Sequence, residues 1–523
     1  MREILTLQLG QLANFVGTHY WNAQEAYFNY GNDTKPDLLD HDVLYRAGKT
    51  PTGIETYTPR VLIYDLKDCF GSLQKYNRLF ESEESTKIAW DGGVNTITTK
   101  TYEKNPYQQQ LDRMEEDPSH TDMDVDAVDK LDHTVKVWSD FNRIYYHPRS
   151  MNPIVTHQAE STLTPFDSYT AGRKAYTDNE KVGLFAAQEE TSIFEDNFRF
   201  FVEECDQLQG FQIFTGVDDA MGGFTEGLLD DIRDEFPKTT VLTYGLSDTT
   251  RNPSAERARQ KETLNRAFSI ARLTKLSSLY VPLYTPTPKR MAYSSRSPYI
   301  HPKSHKAYQY ELMYHTSAIL STAIETASLP YRLKKNGTSL SEMVSRLNWH
   351  GNTYVGGLES VLPLPIVRTG YNDTLETNNV LPIIDHSAPS LSVLADKKKE
   401  ETFGEYIVTR GLPSFDSRYF VDLAYPLIDS YPRFFSSNIS QDGLLTPYTN
   451  SEPPRSVPTL TRLATGSKVR LGMEHRIESI NSISFSDFFE FSEGENGFGR
   501  EDYLEMKEDM ITLSDSYSCD EDM

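Results

Sequence analysis

The sequence predicts an α/β fold: a doubly wound parallel sheet, a long central helix and a second α/β unit. Three observations carry this. An apolar run at residues 4–9 is broken by Gly10 and followed by a helical pattern over 14–26, a strand, glycine turn and helix. A second run, Val61-Leu62-Ile63-Tyr64-Asp65-Leu66, is rich in strand formers and sets Asp65 near its carboxyl end, where ligands of open α/β sheets gather. Residues 211–245 then alternate: strand at 211–214, loop at 216–223, helix at 225–236 closed by Pro237, strand at 239–245. That βαβ order predicts a parallel sheet covered on both faces.

The remaining elements follow in order. Residues 101–135 hold ten acidic and three basic residues and few large apolar ones, which predicts a solvated insertion. Residues 135–140 read as a strand, and His147-Pro148-Arg149-Ser150 as a rigid turn with a surface arginine. Phe194, Phe198, Phe201, Val202 and Cys205 share one face of a helix over 189–207, which makes Cys205 a core thiol. Trp21 and Trp138 are expected core anchors. Helices are predicted over 254–274 and 306–326, and the proline-rich stretch 441–467 reads as loop. Residues 487–523 hold thirteen acidic and two basic residues and are expected to form a mobile tail. The division is thus 1–300, a central helix at 301–330, a second unit at 331–486, and the tail.

At 523 residues the chain exceeds a single small module, and 38% hydrophobic with 12% aromatic residues suffices for sizeable cores. Most of the net charge of −24 falls in the two acidic segments, so the body is nearly balanced. No basic tract offers phosphate contacts, which argues against a nucleic-acid ligand, and none is expected. Three cysteines, Cys69, Cys205 and Cys519, at unrelated spacings make neither a zinc quartet nor a disulfide framework and point to a reducing compartment. No secretory signal, membrane-spanning run or lipidation motif is read.

Several stretches resemble the tubulin superfamily. Met1-Arg2-Glu3-Ile4 with Gln8, Gly10-Gln11, Asn14, Gly17 and Trp21 resembles the tubulin amino-terminal strand, nucleotide loop and helix. Pro59-Arg60 with Asp65-Leu66 resembles its second nucleotide loop. Glu204-Cys205-Asp206, Leu208-Gln209-Gly210-Phe211-Gln212 and Arg233-Asp234-Glu235-Phe236-Pro237 resemble the segment around its glycine-rich signature. Trp138-Ser139-Asp140, His147-Pro148-Arg149-Ser150, Val202-Glu203-Glu204-Cys205-Asp206 and His315-Thr316-Ser317-Ala318-Ile319-Leu320 with Pro330-Tyr331-Arg332 are similar to the Misato family, tubulin-like proteins linked to mitochondrial distribution and morphology.

The resemblance implies a nucleotide pocket at Gly10, Gln11, Asn14, Lys67, Gly222, Gly223 and Asn265, with GTP or GDP the ligand a tubulin would take. The residues depart from it. Where tubulin has a run of glycines with threonine and serine, this chain has Asp218-Asp219-Ala220-Met221-Gly222-Gly223-Phe224, with two carboxylates facing the phosphate position. These acids also suit the amino terminus of a helix. Tubulin's Asp-Leu-Glu is Asp65-Leu66-Lys67 here, which removes a carboxylate that would serve Mg²⁺. The neighbour-activating Asn-x-Asp loop falls on Gly356-Gly357-Leu358-Glu359-Ser360, where Glu359 is a weak substitute. Neither cofactor nor metal is therefore expected. The resemblance implies a non-enzymatic protein of the cytoplasm and outer mitochondrial surface, acting in mitochondrial morphology and inheritance through protein partners there or on the cytoskeleton. Two alternatives stand beside it: an active GTPase assembling head to tail, and a cytosolic tubulin- or chaperonin-linked adaptor.

Overall fold

The computed structural model describes residues 2–28, 38–49, 53, 55–73, 79, 102–117, 123–159, 165–181, 192–251, 253, 255–287, 308–363, 383–388, 400–411, 419–435, 453–492 and 497–518. The chain opens with β1 (Glu3–Leu9), α1 (Gln11–Glu25), the hairpin β2 (Tyr45–Lys49) and β3 (Glu55–Pro59), and β4 (Val61–Leu66). Three helices come next, α2 (Pro106–Glu116), α3 (Val125–Asp129) and α4 (Leu131–Thr134), then β5 (Met151–Ile154), α5 (Tyr169–Lys181) and the short α6 (Arg199–Glu203). The βαβ run is β6 (Leu208–Gly216), α7 (Met221–Glu235), β7 (Thr240–Ser247), α8 (Glu256–Leu276) and β8 (Leu279–Tyr284). These strands form a parallel sheet in the order β5-β4-β1-β6-β7-β8. Leu5, Leu7, Phe211 and Ile213 bury one face with α7 and α8, while Ile4, Ile63 and Phe214 bury the other against α1, so the inner strands read as near-continuous apolar runs.

The central helix, α9 (Met313–Ser328), is buried on every side from Tyr314 to Ser328, between α1 and the second unit. It is followed by α10 (Leu340–Leu347), β9 (Gly357–Val361), β10 (Ile383–Asp385), β11 (Thr402–Arg410), β12 (Tyr419–Val421), the small pair β13 (Tyr425–Pro426) and β14 (Ser456–Val457), and β15 (Thr459–Gly466). The second sheet is mixed, in the order β10-β9-β15-β11-β12, and α11 (Ser467–Asn481) and α12 (Arg500–Asp515) return to pack on α8.

Five expectations are corrected. Residues 135–140 contain no strand: Asp140 Oδ2 accepts from Lys136 N at 2.8 Å and Val137 N at 3.1 Å, folding the segment into a turn with Trp138–Phe141 as a 3₁₀ helix. The described part of the acidic insertion is docked rather than solvated, with Tyr107, Val128 and Leu131 buried and Asp132 bonded to His315 of α9 at 2.9 Å. Within 441–467, residues 459–466 are β15, a central strand between β9 and β11. Residues 500–515 are the helix α12, which buries Tyr503, Met506 and Met510, so this part of the acidic segment is no free tail. The helix expected over 189–207 is a π turn (Ile193–Phe198) running into α6, residues 189–191 lying outside the described ones. Cys205 follows it, half-buried, and burial pushes its thiol up to about 11. Trp21 and Trp138 are fully buried.

Candidate functional site at the carboxyl edge of the parallel sheet

Parallel strands direct their carboxyl ends to one edge, so the turns after β1, β4, β6 and β7 gather there. Gly10 makes the β1–α1 turn at φ 94°, a conformation other residues rarely adopt, and any Cβ would stand 2.8 Å from Met221 Cγ. Gln11 Oε1 accepts from Arg251 Nη2 at 2.9 Å. Asn14 is fully buried, and its Nδ2 donates to Tyr64 O at 3.1 Å and Asp65 Oδ2 at 2.8 Å. Asp65 also accepts from Trp138 Nε1 at 3.1 Å and Leu66 N at 2.9 Å, yet burial pushes its carboxyl up to about 7. Lys67 follows β4 with its side chain exposed.

The β6–α7 turn supplies the two acids read from the sequence. Asp219 Oδ1 accepts from the backbone N–H of Met221, the first residue of α7, at 2.9 Å. Burial pushes its carboxyl up to about 6, against the pull of that bond. The chain thus places its own carboxylate where a helix amino terminus would receive an anion. Asp218 is more heavily bonded, accepting from Arg266 Nε at 2.5 Å, Ser247 Oγ at 2.8 Å and Asp248 N at 2.5 Å. Arg266 also pairs with Glu262 at 3.1 Å, and Arg251 pairs with Asp248 at 3.2 Å.

Gly222 and Gly223 lie at this edge as well, within the first turn of α7, and what makes them glycine is helix packing. A Cβ on Gly222 would stand 2.2 Å from Ser269 Oγ of α8, and one on Gly223 1.9 Å from Tyr169 O of α5. Asn265 is fully buried: Oδ1 accepts from Tyr169 N at 2.9 Å, while Nδ2 donates to Asp167 O at 2.9 Å and Asp218 O at 2.8 Å. All seven residues read from the sequence therefore meet at one edge. The reading missed Arg251, Asp248, Glu262 and Arg266; the first two follow β7 directly, and that strand end was the available signal. Glu359 lies elsewhere, on β9, paired with Lys468 and, at 3.3 Å, with Arg462. Among the described residues no three His, Cys, Asp or Glu side chains converge as metal ligands.

Comparison with known proteins fits this architecture. A profile described as "Misato Segment II tubulin-like domain" matches residues 2–113, and one described as "Tubulin domain" matches 128–333. "Protein DML1" of Phaeosphaeria nodorum is 32% identical over 482 residues, covering 83% of this chain and 86% of the relative. "Protein misato homolog 1" of Mus musculus is 30% identical over 490 residues, covering 92% and 84%. The chain belongs to the Misato family of tubulin-like proteins. A further Misato-family relative, "Protein DML1" of Gibberella zeae, is 39% identical over 361 residues, 67% of this chain and 66%, just under two thirds, of its own length. The candidate edge of this Misato-family chain is assembled across both matched regions: Gly10, Gln11, Asn14 and Lys67 fall in the first, Gly222, Gly223 and Asn265 in the second.

Proposed function

We propose that this protein is a non-enzymatic, tubulin-like member of the Misato family that acts in the distribution, morphology and inheritance of mitochondria. It works in the cytoplasm and peripherally at the mitochondrial outer surface, through protein partners. The mitochondrial role rests on family membership. Among the described residues no helix is long and apolar enough to cross a membrane, which accords with peripheral attachment.

The non-enzymatic part rests on one observation, the Asp219 carboxylate seated on the first amide of α7. A triphosphate does not fit these residues. It would have to displace Asp219 from Met221 N–H while approaching Asp218 and Asp248. One like-charge pair ~4 Å apart costs roughly 4 kcal/mol at an effective dielectric near 20, about three decades of affinity. Asp218 is already spent on Arg266, so this cation is not free to repay it. Met221 packs over Gly10, so its side chain lies against this turn.

The cellular role is tested by depleting the protein and imaging the mitochondrial network, with rescue by the full chain. The proposal expects clumped or unevenly inherited mitochondria on depletion and rescue by the chain. A normal network in depleted cells would refute it.

A further inference from the structure

Where the two sheets meet, the described residues leave a small cavity. Its walls come from Pro282 of β8, the connection Val355-Gly356-Gly357 that runs into β9, and Val469 and Arg476 of α11. That connection pairs with the edge strand of the first sheet, Tyr280 N donating to Tyr354 O at 2.7 Å and Gly356 N to Tyr280 O at 2.9 Å, so the cavity sits on the joint between the two units. Its volume is about 40 Å³, room for about three water molecules.

Arg476 lines this cavity and is only 8% exposed. Its Nε donates to Tyr284 Oη at 3.0 Å and its Nη2 to Ser387 O at 3.2 Å, while Nη1 meets only Met473 Sδ, at 3.9 Å. Two of the five N–H groups of the guanidinium thus find oxygen acceptors, and among the described residues no carboxylate pairs with it. A buried charge without a counter-ion is costly. The other charges on the wall are matched among themselves: Lys468 bridges Glu359 and, at 2.6 Å, Asp385, and Arg462 pairs with Glu359 at 3.3 Å and Glu400 at 2.9 Å.

The glycines of the wall are a second sign. Neither Gly356 nor Gly357 has a positive φ, and a Cβ on either would make only ordinary contacts, no closer than 3.5 Å to Val281 Cγ2 or 3.8 Å to Ala464 O. Unlike Gly222 and Gly223, they are required neither by packing nor by the backbone, and the side chains they lack leave space beside Arg476.

We propose that this cavity is a binding site for a short monocarboxylate, of the size of acetate or propionate, whose carboxylate pairs with Arg476 and whose alkyl end lies on Pro282, Val355 and Val469. A guanidinium presents a planar fork that a carboxylate fills with two parallel hydrogen bonds. The volume admits little more than such a molecule. A dianion such as phosphate has no apolar end for this wall and would meet Glu359 and Asp385 with twice the charge. A ligand held between β8 and α11 braces the joint, so occupancy raises the melting temperature of the chain.

The test titrates the full chain with sodium propionate at constant ionic strength, read by saturation-transfer NMR on the propionate methyl and by melting temperature, with inorganic phosphate as the comparison anion. The expected result is saturable binding of propionate with a dissociation constant of about 1 mM or below, a rise in melting temperature, and neither with phosphate. Arg476→Lys keeps the charge but loses the fork, and weakens binding at least about tenfold. Gly357→Ala adds a methyl to the cavity wall with only ordinary contacts, so it melts like the wild type without ligand and loses binding, which keeps the test decisive should Arg476→Lys fail to fold. No saturable binding by the wild type up to about 10 mM propionate, equal binding of phosphate, or an unchanged affinity in either folded variant overturns the proposal.

Discussion

The ion cluster at the heart of the molecule gives the sharpest stability prediction. Glu325 of α9 is fully buried between two guanidiniums: Oε1 accepts from Arg332 Nη1 at 2.8 Å and Oε2 from Arg410 Nη1 at 2.5 Å. Arg410, also fully buried, donates onward to Tyr27 Oη at 2.8 Å, so one cluster ties the end of β11 to α9 and to the chain just past α1. Burial alone would push the Glu325 carboxyl up, but Arg410 and Arg332 reverse this and hold it below its usual value. Removing one partner of a buried pair costs about 3–5 kcal/mol, because the other charge stays desolvated. Glu325→Gln strands two cations, so its expected cost is about 5 kcal/mol, read from denaturant melts of the full chain. The sign in pH follows. A depressed carboxyl stabilises above the unfolded-state value near 4.5 and loses that contribution as pH falls through the folded value, so the wild type loses its advantage over Glu325→Gln in acid. A cost below about 1 kcal/mol at pH 7 would refute the reasoning.

Further outcomes follow from the carboxyl edge. Gly223→Ala drives a methyl into Tyr169 O and is expected to destabilise the fold by about 3 kcal/mol or prevent soluble expression; a neutral effect in denaturant melts would contradict the packing role. Asp65 is raised to about 7, so the folded chain holds more protons than the unfolded one between about pH 4 and 7, and stability falls as pH rises through that window. Asp65→Asn should flatten this fall, and an unchanged slope would count against it. The exposed Lys67 should tolerate Lys67→Met within about 0.5 kcal/mol by the same melts.

The sequence was most legible where local pattern and tertiary demand agree. The strand ends at Gly10 and Asp65 and the helices α7 and α8 follow from apolar runs punctuated by glycine and proline. It was least legible where charge or proline masked a periodic signal. In α12, Tyr503, Met506 and Met510 hold the helical spacing, but the surrounding acids suggested solvent; Arg272 and Lys275 on a distant helix meet two of them, Glu505 and Asp509. In β15, alternating Thr459, Thr461 and Leu463 turn inward behind a run of prolines. Trp138 looked like part of a strand because its hydrogen-bond partner, Asp65, is 73 residues away. At the site, residue types pointed to the turns after β1, β4 and β6, whereas the role of Gly222 and Gly223 as contacts for α8 and α5 needed coordinates.

The central claim is that the chain's own carboxylates close the phosphate edge. Its most direct test is calorimetric titration of nucleotide-free protein with GTP and GDP, with and without Mg²⁺. Three decades lost from a micromolar site leave a dissociation constant near 1 mM, so no saturable heat is expected at micromolar nucleotide. Stoichiometric binding at micromolar or tighter affinity would contradict the account and return the protein to the nucleotide-dependent tubulins.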